Sequence, residues 1–195
     1  RDLTGLAERH RLAGIVEEQV PAAVGLEPDL VTIAGGVNDA LRRHWDLAAM
    51  AGDLESGVRA LAGTGADVVI VTYGRPSNRS RVMGAVERRL ADYREVTLEI
   101  AGRHGCRVVD FWDQGAFDDP RFWSQDRLHL NPVGHQRVAM AVLDALGLPS
   151  PVPWWQPLPP VRPLPPVTRL GRDVAWAGKH LAPWLGRRVR GRSSG

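Results

Sequence analysis

The sequence predicts an α/β sandwich built on a parallel sheet, and two observations carry that expectation. Three short runs, Leu30 to Ala34 (LVTIA), Val68 to Tyr73 (VVIVTY) and Val108 to Phe111 (VVDF), are β-branched and almost continuously apolar. That is the pattern of parallel strands covered on both faces. Longer stretches with apolar residues at helical spacing separate them, and alternating strand and helix winds into a right-handed sandwich.

The elements follow in order. An opening helix is expected from about Leu12 to Val20, ending near Pro21, after which Pro28-Asp29 leads into the first strand. A second helix should run from about Asp46 to Ala62, with Leu54, Val58 and Leu61 in step. A third should run from about Arg81 to Arg103, with Val82, Val86, Leu90, Tyr93 and Val96 or Thr97 on one face. The last helix of the body is punctuated at both ends. Asn131 is its N-cap and Pro132 its first residue, Val138, Val142 and Leu146 point to the core, and Gly147 with Pro149 stops it. His129 therefore lies in a loop just ahead of a helix.

Residues 149 to 166 hold nine of the fifteen prolines, including Pro-Leu-Pro-Pro twice, which excludes regular helix and interior strand. They read as an extended polyproline-like strap. Trp154 and Trp155 at its start either pin it to the body or stack on a ligand, and pinning is the reading favoured here. Beyond it, Leu170, Val174, Ala177 and Leu181 mark the apolar face of a short helix that Pro183 should end or kink. The organisation is thus an α/β domain over 1–148, a proline-rich linker over 149–166 and a basic amphipathic tail over 167–195. The tail's apolar face is expected to dock on the body.

Charge is unevenly spread. Residues 161 to 195 carry eight Arg or Lys against one acid, leaving residues 1 to 160 with 17 basic against 21 acidic groups. A nucleic-acid reading would rest on the tail alone, and no specific nucleic-acid motif is present. The tail's charge and apolar stripe instead suggest weak contact with an anionic membrane surface. No run reaches the roughly 18 to 20 apolar residues of a membrane span, and Arg1-Asp2-Leu3-Thr4 lacks the apolar core of a secretory signal. The expectation is a cytoplasmic protein, although a chain that starts without Met leaves room for an upstream signal. Cys106, at the head of the run Val108-Val109, reads as a buried inert thiol. The six histidines show no metal-ligand spacing, and there is no P-loop or Rossmann glycine fingerprint, so no metal and no cofactor is expected.

The chemistry concentrates in two places. Asp126 and His129 stand three residues apart in Asp126-Arg127-Leu128-His129-Leu130-Asn131-Pro132, and Gly35-Gly36-Val37-Asn38-Asp39 lies about ninety residues upstream, directly after an apolar strand. A histidine close behind a carboxylate can act as a general base whose tautomer the acid fixes. A side-chain amide on a turn can donate to a developing oxyanion, although Asn38 could equally cap a helix. Both segments follow strands, so both can reach the carboxyl rim where open α/β sheets bind ligands. The glycines let the backbone take positive φ or pass close to a substrate, which makes Gly36 a candidate substrate-binding position. Asp39 reads as a brace for the turn.

These residues resemble the third (Gly-x-Asn-Asp) and fifth (Asp-x-x-His) sequence blocks of the SGNH/GDSL hydrolase family, over roughly Leu12 to Gly147. The resemblance implies a three-layer α/β/α sandwich of flavodoxin-like strand order. It also implies a serine ester hydrolase working through an acyl-enzyme on a small-molecule or glycan ester. His129 would take the serine proton, Asp126 would orient it and Asn38 would serve the oxyanion hole. Two departures stand out. The Gly-Asp-Ser block that carries the family's nucleophile is absent, so the nucleophile is unknown, and Arg9-His10-Arg11 occupies the place of the glycine block. Ser77 and Ser80 lie on the right rim without that context, and Ser124 reads as a turn residue. The expectation is a chain without its N-terminal strand or strands and inactive by itself. With the family's serine strand removed, LVTIA would be left as an open apolar edge. The competing reading is a noncatalytic remnant or interaction protein that binds through the old rim, the strap or the tail.

Overall fold

The computed structural model describes residues 11–78, 83–115, 117–162 and 165–181. At its centre β1 (Leu30–Ile33), β2 (Asp67–Val71) and β3 (Arg107–Val109) form a parallel sheet in that order. Tyr73 and Phe111 lie past the hydrogen-bonded ends of their strands, in the loops that make the carboxyl rim. The helical elements are α1 (Leu12–Gly14), α2 (Val20–Gly25), α3 (Val37–Ala40), α4 (Leu47–Ala62), α5 (Glu87–Arg103), α6 (Pro132–Ala145) and α7 (Pro166–Trp176).

Register assigns the faces. Val31 pairs with Val68 and Ile33 with Ile70, and all four join the larger core cluster with Leu12, Leu54, Val58, Tyr93 and Ile100 from the helices. Thr32 pairs with Val69 and Val71 with Val109, which places them on the opposite side. There Val69, Val109, Phe111, Phe122 and Ala141 of α6 make the second cluster. Helices thus lie on both faces, as an α/β sandwich requires.

The strands are not all covered on both faces, contrary to expectation. On β1, Val31 is half-buried and Ile33 buried, but Leu30 is 44% exposed and Thr32 and the following Ala34 are exposed as well. Their side belongs to the α6 face, yet α6 packs over β3, across the sheet from β1. The sheet therefore ends on a strand with one bare face and an unpaired edge among the described residues.

The opening helix also differs. It does not end at Pro21 but continues through a π turn (Ile15–Gln19) into α2, with Leu26 as C-cap. The wider π turn gives the pyrrolidine ring room against the carbonyl four residues back, the clash that normally stops a helix. α4 starts as expected, with Asp46 accepting from the Ala49 N–H at 2.9 Å. α5 starts later than Arg81. Met83–Val86 is a tighter 3₁₀ turn that contains Gly84, and Glu87 opens the α-helix while its carboxylate accepts from the Ser77 N–H at 2.9 Å. Residues 79–82 lie outside the described set.

The strap is held by buried polar groups. Trp154 is 9% exposed, packs edge-on against Phe111 at 5.3 Å and donates from Nε1 to Asp144 at 3.1 Å. Arg137 of α6 is 8% exposed, lies over the Phe122 ring and donates to the Pro153 carbonyl at 2.6 Å. Trp155 meets Trp154 edge-on but stays half exposed.

The tail helix α7 reverses the expected docking. Val167, Leu170 and Val174 are 83%, 65% and 64% exposed. Contact with the body runs instead through Asp173, which pairs with Arg127 at 2.7 Å, and Trp176, whose ring lies under the Arg127 guanidinium at 4.8 Å. A charge pair and a cation–π contact seat this helix. Of the expected stripe Leu170 and Val174 face solvent, Ala177 is half-buried, and the Leu181 side chain lies outside the described set. Pro183, Trp184 and the Arg187 to Arg192 cluster lie outside the described residues.

Candidate active site

The Asp126–His129 segment is a closed loop between the 3₁₀ turn Pro120–Phe122 and α6. Trp123 and Leu130 pair as an antiparallel bridge, and the Ser124 N–H donates to the His129 carbonyl at 2.8 Å. The Ser124 hydroxyl donates to the Leu130 carbonyl at 3.1 Å, so Ser124 is a turn residue. Asn131 joins the loop to α6. Its Oδ1 accepts from the Gly134 N–H at 3.0 Å and its Nδ2 donates to the Arg121 carbonyl at 2.7 Å. Gly134 is required here, because a Cβ would collide with the Phe122 carbonyl and the Leu130 side chain.

Within this loop Asp126 organises the turn. Oδ1 accepts from the N–H groups of Leu128 at 2.9 Å and His129 at 3.0 Å, and Oδ2 receives His129 Nδ1 at 2.6 Å. Burial alone would push this carboxyl up, but the hydrogen bonds from the His129 ring and the two backbone amides outweigh it and hold it at about 2. An ionised carboxylate can only accept, so the Nδ1 position carries the proton and Nε2 is left as the basic nitrogen. The His129 side chain is 59% exposed and open to a reacting group. Arg127, between them, has φ 57, a left-handed conformation uncommon outside glycine. Its pairing with Asp173 and Trp176 holds it there, and the Trp176 indole N–H donates to the Asp126 carbonyl at 3.1 Å.

The second segment follows β1. Gly36 has φ 101 and is buried, and the place of its missing Cβ is filled by the Tyr93 ring. It is also the residue that caps α3, so Asn38 is not an N-cap but lies inside the short helix, exposed at the rim. The capping role left open for Asn38 therefore falls away. Asp39 braces across the fold, its Oδ2 accepting from the Leu12 N–H at 3.0 Å and so satisfying the first turn of the opening helix. Asp126 and His129 are brought into direct contact. Asn38 and Gly36 follow the carboxyl end of β1.

The carboxyl rim opens into a cavity of about 220 Å³, bounded by Ala34, Tyr73, Phe111, Phe117, Trp123 and Leu130, with His135, Arg75 and Asp118 as polar members; Gly36, Asn38, Asp126 and His129 are not among its lining residues. Burial pushes the Tyr73 hydroxyl up to about 12, so it stays protonated. Beside it, Asp110 at the end of β3 accepts from the Thr72 hydroxyl at 2.6 Å and from Arg94 Nε at 2.9 Å. Burial raises this carboxyl, and the bonds from Arg94 and Thr72 more than reverse it, leaving it below the usual carboxylate range. This network ties the ends of β2 and β3 to α5.

Sequence reasoning missed the Thr72–Asp110–Arg94 network, the buried Arg137 and the Trp176–Asp173 clasp. Only the acid inside the apolar run VVDF hinted at the first. Ser77 is exposed and its N–H is engaged by Glu87, and Ser80 lies outside the described residues, as do Arg9 and His10. Cys106 is partly buried, and burial pushes its thiol up, away from the reactive thiolate. Among the described residues no three metal-binding side chains come together, and no helix is long and apolar enough to cross a membrane.

The model of the GDSL-like Lipase/Acylhydrolase family matches residues 5–137. Among solved structures, an alpha/beta hydrolase enzyme from the metagenome of Lake Arreo, Spain, is 28% identical with a TM-score of 0.59, over 71% of this chain and 68% of that one. An acetylxylan esterase from Geobacillus stearothermophilus is 21% identical with a TM-score of 0.60, over 72% of this chain and 69% of that one. A lipase/acylhydrolase from Enterococcus faecalis is 20% identical with a TM-score of 0.57, over 70% of each chain. At such identities the last two show the fold alone. No curated protein matches the sequence.

Proposed function

The chain belongs to the GDSL-like lipase/acylhydrolase family, and on that premise we propose a serine ester hydrolase whose proton-transfer pair is His129 and Asp126. The observation that carries this reading is the 2.6 Å bond between His129 Nδ1 and Asp126 Oδ2. It holds the imidazole with its proton on the Asp126 side and Nε2 outward, the arrangement a general base needs to take a hydroxyl proton and return it to a leaving alcohol. Serine attack on the ester carbonyl gives a tetrahedral oxyanion and then an acyl-enzyme, which water hydrolyses by the same proton path. Asn38, exposed in the short helix α3 that follows β1, is the side-chain donor to that oxyanion.

The nucleophile is not supplied by the serines in view. Among the described residues no serine hydroxyl bonds to His129, and the sequence contains no Gly-Asp-Ser. The bare side of β1 supports a specific alternative. A further strand paired on the open edge of β1 and a helix over Leu30, Thr32 and Ala34 would complete the sandwich and bring a serine to the rim beside the cavity. The substrate would be an acyl or acetyl ester of a small molecule or glycan.

The test is hydrolysis of short-chain p-nitrophenyl esters by the 195-residue chain, beside the chain extended by the residues encoded ahead of Arg1. Background rates in the first and turnover in the second are expected. Full activity in the first, lost on Ser77→Ala or Ser80→Ala, would overturn the assignment.

A further inference from the structure

The stripe on α7 is a hydrophobic surface held in place by contacts that do not use it. Val167, Leu170 and Val174 fall at helical spacing and are 83%, 65% and 64% exposed, while Asp173 and Trp176 on another side clasp the Asp126–Arg127 turn. A helix of three turns that leaves its apolar side in water gains no burial from docking as it does. Another surface must cover it for that burial to be realised.

Charge selects the surface. Arg162 and Lys179, at either end of the helical segment, are exposed. The sequence from 161 to 195 adds Arg169, Arg172 and the run Arg187, Arg188, Arg190 and Arg192, against Asp173 as its single acid. Asp173 is itself neutralised by Arg127 at 2.7 Å. A short apolar stripe in a segment of cationic sequence suits the boundary of an anionic bilayer, where shallow insertion and electrostatic attraction add. A like copy of this chain would bring the same positive charge against itself.

We propose that α7 is a docking helix for anionic lipid surfaces, entering the interface through Val167, Leu170 and Val174. Because Trp176 and Asp173 tie it to the Asp126–His129 turn, docking sets His129 close to the lipid boundary. This inference concerns the surface and stands whether or not the nucleophile is placed correctly.

The experiment is co-sedimentation of the 195-residue chain with vesicles of phosphatidylglycerol and phosphatidylcholine, or of phosphatidylcholine alone. Partitioning at least about tenfold stronger to the anionic vesicles is expected, weakening in high salt. The Leu170→Glu, Val174→Glu double variant should lose about tenfold or more of that binding with unchanged thermal unfolding, since both positions are exposed. Binding that survives the double variant, or equal binding to neutral vesicles, would overturn the proposal. So would a chain that ignores both vesicles but sediments as a dimer that the variant dissociates, since the stripe would then be a seam between copies. Binding to a DNA duplex with none to vesicles would assign the charge to nucleic acid instead.

Discussion

The Trp176 indole N–H donates to the main-chain carbonyl of Asp126 at 3.1 Å, joining residues fifty positions apart. The same ring lies against Arg127, whose guanidinium pairs with Asp173. The turn that carries His129 is thus clamped from outside by the tail, at a residue with positive φ. Trp176→Phe keeps the ring and removes the donor. It is expected to cost about 1 kcal/mol locally and to speed hydrogen exchange at the Leu128 and His129 amides. Unchanged exchange there would reduce the clamp to a surface contact.

Asp126 gives a pH signature. A carboxyl held at about 2 in the fold stabilises it fully above the unfolded value near 3.9, and that contribution is lost as pH falls toward about 2. Asp126→Asn should therefore be less stable than the parent near neutrality, and the gap in Tm should close between about pH 4 and pH 2. A gap independent of pH would mean that the side chain acts by shape rather than charge.

Gly134→Ala tests the junction between the loop and α6. The added methyl would meet the Phe122 carbonyl and Leu130. A loss of about 1–3 kcal/mol is expected, as for other overpacked sites. Equal stability in thermal unfolding would show that the helix start can shift.

Asn38→Ala, in a chain that turns over ester, should lower kcat by about 10²- to 10³-fold with little change in KM, because an oxyanion donor acts mainly in the transition state. A folded variant that is equally fast would leave Asn38 without a catalytic role.

Much of the fold was legible because its signals are local. β-branched runs located all three strands, and Asn131-Pro132 located the start of α6. Pro21 misled because the rule that prolines end helices assumes an α turn before them, and here a π turn precedes it. The open edge of β1 was expected from the absent serine strand, but its bare face was not legible from LVTIA, since apolar content says that a strand prefers cover without saying which neighbours provide it. Of the site, the Asp126–His129 contact could be read from spacing within one turn. The Thr72–Asp110–Arg94 network and the Arg137 anchor could not, because their partners are distant in sequence and buried arginines look like surface ones. The tail was read by its stripe, and hydrophobicity alone pointed the wrong face inward. The seat came from Asp173 and Trp176, whose partner Arg127 belongs to the Asp126–His129 turn.

The most direct measurement is kcat/KM on p-nitrophenyl acetate for the N-terminally extended chain and its His129→Ala variant, with circular dichroism to confirm equal folding. The account predicts that the variant falls to the uncatalysed rate, because His129 is the proposed base for the serine proton. A folded His129→Ala enzyme that hydrolyses the ester as fast as its parent would contradict it.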